Sequence, residues 1–215
     1  MTDFAKLRER MVQRQIAARG ISNPAILEAF RSVRREAFVA KNLAHAAYDD
    51  APLQIECGQT ISQPYIVAVM IDAADIGPDD CILEVGAGSG YAAAIMSRLA
   101  KHVIALERQF ELAAIARDRL QSLGYDNVEV LHGDGTLGYP DKGPFDAIIA
   151  AASGSHIPAP LIEQLTIGGR LVMPIGDAHS GQELVKAIKA PDGSIRTSSL
   201  GGVRFVPLIG EEGWP

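Results

Sequence analysis

Cysteine is nearly absent: in 215 residues only Cys57 and Cys81 carry a thiol. That excludes a disulfide-stapled fold and fits a reducing compartment; Cys81, which opens an apolar run, is expected to be buried in a strand. An excess of basic charge is also lacking. With 20 Lys and Arg against 26 Asp and Glu, a net charge of -6 offers no general attraction to nucleic acid. No apolar run approaches the roughly 20 residues of a membrane helix, and residues 1–14 are charged throughout, without the apolar stretch of a secretory signal. A cytoplasmic protein with neither nucleic-acid nor membrane partners is therefore expected. The histidines at 45, 102, 132, 156 and 179 show neither the H-E-x-x-H spacing nor paired cysteines, so no metal site is expected. Internal repeats and low-complexity linkers are missing too.

What is present suits one well-buried α/β domain over residues 1–215, since 47% of the chain is hydrophobic. Residues 1–76 read as N-terminal helices and an active-site loop, and 77–215 as a nucleotide-binding core with C-terminal strands. The centre of the pattern is C-I-L-E-V-G-A-G-S-G-Y at 81–91. A polar turn precedes it, and Tyr91, Ile95 and Leu99 follow at helical spacing, so it reads strand, tight glycine loop, helix. Gly86, Gly88 and Gly90 permit positive φ and close approach of a ligand to a helix N-terminus. The same glycines also permit close strand–helix packing.

Two acids flank this loop. Glu84 ends the first strand. Glu107 closes a second apolar run, 102–106, about twenty residues on, where a nucleotide-binding fold places the acid that holds ribose hydroxyls. The third glycine comes one residue too early for a dinucleotide fingerprint. S-adenosylmethionine carries no phosphate but has an ammonium, a sulfonium, a carboxylate and a ribose, and its charges suit Glu84, Glu107 and the loop amides better. A solvated strand end is the plainer reading of either acid alone.

Along the chain, Phe4, Leu7 and Met11 mark a first helix ended by Gly20, and Asn23-Pro24 starts a second with Ile26, Leu27, Phe30 and Val33 inward. Arg31, Arg34 and Arg35 read as a solvated helix end, the alternative being part of an anion-binding lip. Residues 48–65 look polar, turn-rich and too irregular for a core element. A helix over 64–74 follows, which makes Ser62 a candidate N-cap hydroxyl. An amphipathic helix on Leu112, Ala113, Ala116, Leu120 and Leu123 stops at Gly124. A third strand, 128–131, delivers His132-Gly133-Asp134-Gly135, where Asp134 is either an acceptor for an adenine amino group or an ordinary acidic turn. The apolar run 145–151 is a fourth parallel strand; its Ala152-Ser153-Gly154 ending lacks the Asn/Asp-Pro-Pro-Tyr signature associated with methylation of amide or base nitrogen. A short helix over 158–165 and a fifth strand over 170–175 follow. Segments 183–190, 195–200 and 203–208 read as antiparallel strands separated by turns, the last at Gly201-Gly202. The fold class is therefore α/β, a Rossmann-like doubly wound and mostly parallel sheet with N-terminal helices and an antiparallel C-terminal part.

Together, G-Q-T-I-S-Q-P-Y at 58–65, L-E-V-G-A-G-S-G-Y at 83–91, H-G-D-G at 132–135, F-D-A-I-I at 145–149 and V-R-F-V-P-L at 203–208 closely resemble the protein-L-isoaspartate O-methyltransferase family. The resemblance covers nearly the whole chain, and G-Q-T-I-S-Q-P is its most specific motif. It implies S-adenosyl-L-methionine as cofactor and isoaspartyl-containing proteins and peptides as substrates. The free carboxylate is methylated, and the ester collapses to a succinimide on the way back to aspartate. It further implies Ser62 as the active-site serine, Gln59, Thr60, Ile61 and Ser62 along the cofactor, and Glu107, Asp134 and Gly135 at ribose and adenine, beside Glu84 and the loop glycines. Val33-Arg34-Arg35 replaces a common Val-Pro-Arg, and Glu56 replaces a usual glycine, placing a negative charge near the path of an anionic substrate. The rivals are methylation of a normal aspartate in a biosynthetic peptide and a catalytically silent cofactor-binding module.

Overall fold

In the computed structural model, residues 2–177 and 181–215 are described; His179, with Met1, Ala178 and Ser180, lies outside the described residues. The N-terminal part holds α1 (Phe4–Met11), continued by a π-helical and a 3-10 turn to Gly20, and α2 (Pro24–Ser32). A hairpin of β1 (Leu53–Gln54) and β2 (Thr60–Ile61) leads into α3 (Pro64–Ala74). Strands and helices then alternate through β3 (Cys81–Val85), α4 (Tyr91–Met96), β4 (His102–Glu107), α5 (Phe110–Ser122), β5 (Val128–His132), β6 (Phe145–Ala150) and α6 (Ala159–Glu163). The chain finishes its sheet with β7 (Leu165–Asp177), β8 (Gly181–Lys189) and β9 (Ile195–Val203).

The helix boundaries follow local chemistry. Asn23 Oδ1 accepts from the Ala25 N–H at 2.9 Å, and Pro24 occupies the first turn, where a missing N–H costs nothing. Gly20 ends the first helical run at φ 103°, in the left-handed region that only glycine enters freely.

The seven-stranded sheet has the order β5-β4-β3-β6-β7-β8-β9, parallel from β5 to β7 and antiparallel beyond. Side chains alternate between its faces, as strand geometry requires. Ile82, Val103, Ala105, Ala147 and Ile149 pack with residues of α1 to α5, whereas Leu83, Ile104, Leu106 and Ile148 pack with Leu161 of α6 and with Leu208. From β3 the chain winds outward to β4 and β5, then returns to the other side of β3 as β6. This reversal leaves a crevice at the carboxyl ends of β3 and β6, where open α/β sheets hold ligands.

Four expectations need correction. Segment 203–208 is not a strand: β9 runs through Gly201-Gly202 to Val203, and a register shift opposite Leu184 and Val185 leaves Leu200, beside the paired glycines, as a bulge. Beyond it only the isolated bridge of Pro207 with Ser153 remains, because proline has no N–H to extend a ladder. Residues 48–65, expected to be irregular, contain the β1–β2 hairpin. Cys81 is half-buried rather than buried. Arg35, read as part of a solvated helix end, is 0% exposed.

Candidate active site

A cavity of about 1010 Å³ opens at the crevice. One wall is the loop after β3. Gly86 and Gly88 sit there at φ 88° and 54°, and their missing Cβ atoms keep the loop backbone open to the cavity. Gly90 also has positive φ, at 86°, but it lies off the lining: a Cβ there would come within 2.9 Å of Leu120 Cδ1. Its role is to let the loop approach α5 closely. Gly135 lines the cavity and packs against Val85 so tightly that any Cβ would collide with it.

The two acids lie side by side on this wall with different surroundings. Glu107, at the end of β4, is buried and accepts from the Gly88 N–H at 2.9 Å and the Gln109 N–H at 3.0 Å. Glu84 is 1% exposed, and its Oε2 has no hydrogen-bond partner among the described residues. Burial, with the neighbouring Glu107 charge adding to it, raises its pKa well above the ordinary glutamate value. A buried carboxylate oxygen without a donor is costly. It fits a ligand that brings a cation or N–H to the loop, as the ammonium of S-adenosylmethionine would.

Asp134 bonds within its own turn, as an ordinary acidic turn residue does. Its Oδ1 accepts from the Thr136 N–H and hydroxyl, and its Oδ2 from the Glu211 N–H at 2.7 Å. These hydrogen bonds hold its pKa below the usual aspartate value although partial burial opposes them. The carboxylate thus ties the turn after β5 to the C-terminal segment, and it is absent from the described cavity lining.

The opposite wall is built from irregular backbone. Gln59, Thr60, Ile61 and Ser62 line it, together with residues 203–207. Ser62 does not cap α3: Gln63 occupies the N-cap position, and no side chain bonds the free amides of that helix. Segment 203–207 is held by Gln182, whose side-chain amide pairs with both the N–H and the carbonyl of Phe205, and by Ser153, whose N–H donates to the Val206 carbonyl. Two cations, Arg108 and Arg204, also face the cavity and went unmarked in the sequence; Arg204 lies inside V-R-F-V-P-L, but nothing in its spacing signals a site. Glu56 is not a free charge in the substrate path. Its Oε1 accepts from Arg119 Nη2 at 2.6 Å, while Arg119 Nη1 donates to the Ser89 carbonyl at 3.0 Å. Among the described residues no cluster of metal-ligating side chains occurs.

A glycine loop at the switch point of a mostly parallel sheet, flanked by two buried carboxylates, defines the class: an S-adenosylmethionine-dependent methyltransferase. The family model for protein-L-isoaspartate(D-aspartate) O-methyltransferase matches residues 6–213, and the chain belongs to this family. Relatives agree over nearly full length. The chain is 52% identical to protein-L-isoaspartate O-methyltransferase 2 of Pelobacter propionicus, over 96% of this chain and 92% of the relative. It is also 52% identical to the protein-L-isoaspartate O-methyltransferase of Protochlamydia amoebophila, over 95% and 97%. Among solved structures, a protein-L-isoaspartate O-methyltransferase superposes with a TM-score of 0.87 at 29% identity, covering 96% of this chain and 67% of that one. A Plasmodium falciparum protein assigned to the same activity, solved in complex with S-adenosyl-L-homocysteine, superposes at 0.80 with 26% identity, covering 94% and 98%.

Proposed function

We infer that this chain transfers the methyl group of S-adenosylmethionine to the free carboxylate of L-isoaspartyl residues in damaged proteins, initiating their return to aspartate through a succinimide. One observation carries the site assignment: a single cavity joins the glycine loop, Glu84 and Glu107 to Ser62 and the 203–207 segment. Cofactor and acceptor can meet there without any rearrangement of the sheet.

Bound S-adenosylmethionine supplies an activated methyl group. Glu84 is proposed to hold its ammonium, Glu107 its ribose hydroxyls, and the loop amides its carboxylate, while Gln59 to Ile61 close over it. The acceptor needs no general base. A carboxylate with a reference pKa of about 3.9 is almost fully ionised at neutral pH, and no histidine stands among the described cavity residues to activate a serine nucleophile. The Ser62 hydroxyl is therefore proposed to donate a hydrogen bond that aims the carboxylate oxygen, one part of the about 7 to 11 kcal/mol that full pre-positioning of a reacting pair can supply. Within 203–207 the backbone groups of Phe205 are engaged by Gln182, and the Val206 N–H, like that of Arg204, has no bond among the described residues. We assign the Val206 amide to the backbone of an extended substrate.

The reading extends to a cytoplasmic protein that works as one catalytic domain on proteins and peptides, not on nucleic acid or membranes. Two free thiols and the net charge of -6 support it. Among the described residues no helix is long and apolar enough to cross a membrane. The deciding assay uses two peptides of identical sequence, one with isoaspartate and one with aspartate. Because the two carboxylates differ in reach and not in charge, and about 1 Å of misplacement costs on the order of a hundredfold, kcat/KM is expected to favour the isoaspartyl peptide by about a hundredfold or more. Equal rates would assign the site to ordinary aspartate instead.

A further inference from the structure

Arg35 is a charge with no solvent exposure, placed where neither the cofactor nor the substrate reaches it. Its Nε donates to the Ala47 carbonyl at 2.7 Å and its Nη2 to the Ser62 carbonyl at 2.8 Å. Its guanidinium lies 4.7 Å from the centroid of the Tyr91 ring, and its Nη1 has no hydrogen-bond partner among the described residues. Tyr91 is buried, lines the cavity, and is the first residue of α4 after the glycine loop. One side chain thus joins the N-terminal part, the Ser62 peptide and the start of the glycine-loop helix.

Burying an ion is expensive, and replacing a buried charge network with apolar side chains of similar volume is often neutral or stabilising. Simple packing is therefore a poor reason for a guanidinium here. Geometry is a better one. Ser62 lies between β2 and α3, outside both. Among the described residues its carbonyl has Arg35 as hydrogen-bond partner. The planar guanidinium holds two acceptors in one fixed fork, which a lysine ammonium cannot do.

We propose that Arg35 is a positioning residue for methyl transfer, fixing the Ser62 peptide against the glycine-loop helix so that the Ser62 hydroxyl meets the acceptor carboxylate in register with the methyl group. This rests on the reading of Ser62 given above. Arg35 makes no bond to the reacting atoms and acts only through Ser62. Its loss therefore slows the bound complex and leaves cofactor affinity in place.

The test is a double-mutant cycle on the full-length protein with an isoaspartyl peptide as substrate and S-adenosyl-L-homocysteine as the binding probe. Arg35→Lys is expected to lower kcat by about 30- to 100-fold, the scale of an ångström of misplacement, with the dissociation constant of S-adenosyl-L-homocysteine changed less than about threefold. In a Ser62→Ala background the same substitution is expected to cost nothing further, the signature of two residues acting as a unit. A second variant, Arg35→Ala, is expected to regain kcat in millimolar ethylguanidinium only when Ser62 is intact. A Ser62→Ala enzyme of full activity overturns the serine reading itself. With Ser62→Ala impaired, an unchanged kcat in Arg35→Lys, or losses that simply multiply, overturns the positioning role alone. Failure of both Arg35 variants to fold, even when purified with S-adenosyl-L-homocysteine, marks the residue as purely structural and overturns it equally.

Discussion

The two walls of the cavity are made in different ways. On the proposed cofactor side the loop and both acids sit at the ends of parallel strands or in the turns that leave them, with Tyr91 and Ala92 of α4 behind, and the strand register puts Glu84 of β3 beside Ala105 of β4. On the substrate side the lining comes from the two-residue β2, the loop before α3, and the end of β8–β9 with the irregular segment beyond it, and long-range bonds hold it: Arg35 to Ser62, Arg119 to Glu56, Gln182 to Phe205, Ser153 to Val206. The first wall is a property of the sheet. The second is assembled from side chains that lie 27 to 63 positions away from the groups they hold, in the first two of these pairs. A cofactor common to many enzymes can be met by a shared scaffold, whereas the acceptor site must be built separately and is easier to loosen.

Substitutions on each wall should therefore separate binding from turnover. The largest effect is expected for Glu107→Ala, which removes an acceptor from the cofactor wall. Cofactor affinity should fall by about 1.5 to 3 kcal/mol, roughly 10- to 150-fold, in a calorimetric titration with S-adenosyl-L-homocysteine. An unchanged dissociation constant in a folded variant would place the ribose elsewhere.

Next comes the pH response of Glu84. Its folded pKa lies above the unfolded value, so the favourable contribution of its protonated form is complete below about pH 4.5 and is lost as pH rises through the folded pKa. Binding a cation needs the ionised form. Affinity should therefore tighten with rising pH over that same window, by at most about a decade per pH unit, while the melting temperature of the free enzyme falls. Glu84→Gln should flatten both dependences; a wild-type slope that survives the substitution would assign the proton to another group.

The smallest effect belongs to the substrate wall. Glu56→Gln should cost about 1 kcal/mol in urea unfolding, at the upper end for a part-exposed ion pair, and speed the release of S-adenosyl-L-homocysteine about fivefold by freeing the hairpin from Arg119. If stability and release are both unaltered, the pair does not restrain the hairpin, and the two walls differ less in how they are held.

The same contrast explains what could be read from the chain. The strands ending at Glu84 and Glu107, the glycine loop between them, and the helix starts at Pro24 and Pro64 are legible because each is specified within about ten residues by period, punctuation and capping chemistry. Arg35 was misread because burial of a charge depends on partners at Ala47 and Ser62, which no periodicity reveals. Asp134 stands in a recognisable turn, yet the Glu211 N–H that takes up one of its oxygens arrives from 77 residues away. Segment 203–208 alternates like a strand, but strand pairing needs a partner with free backbone groups, and Pro207 supplies no donor. Gly201-Gly202 looked like a turn for the same reason that it tolerates a bulge: glycine at φ 110° serves either.

In the cofactor role proposed for it, the unpartnered oxygen of Glu84 also links ligand binding to the lifetime of the folded enzyme. A ligand that binds only the folded chain adds RT ln(1 + [L]/Kd) to its stability, about 2.7 kcal/mol at a hundred times Kd. For a protein whose total margin is on the order of 5 to 15 kcal/mol, that is a sizeable share. Molecules holding the methyl donor, or the spent product that shares its ammonium and ribose, outlast empty ones under proteolysis, which acts on the opened chain. Proteolytic lifetime is therefore expected to follow the summed occupancy by donor and product, which pulse proteolysis at graded concentrations of each would measure.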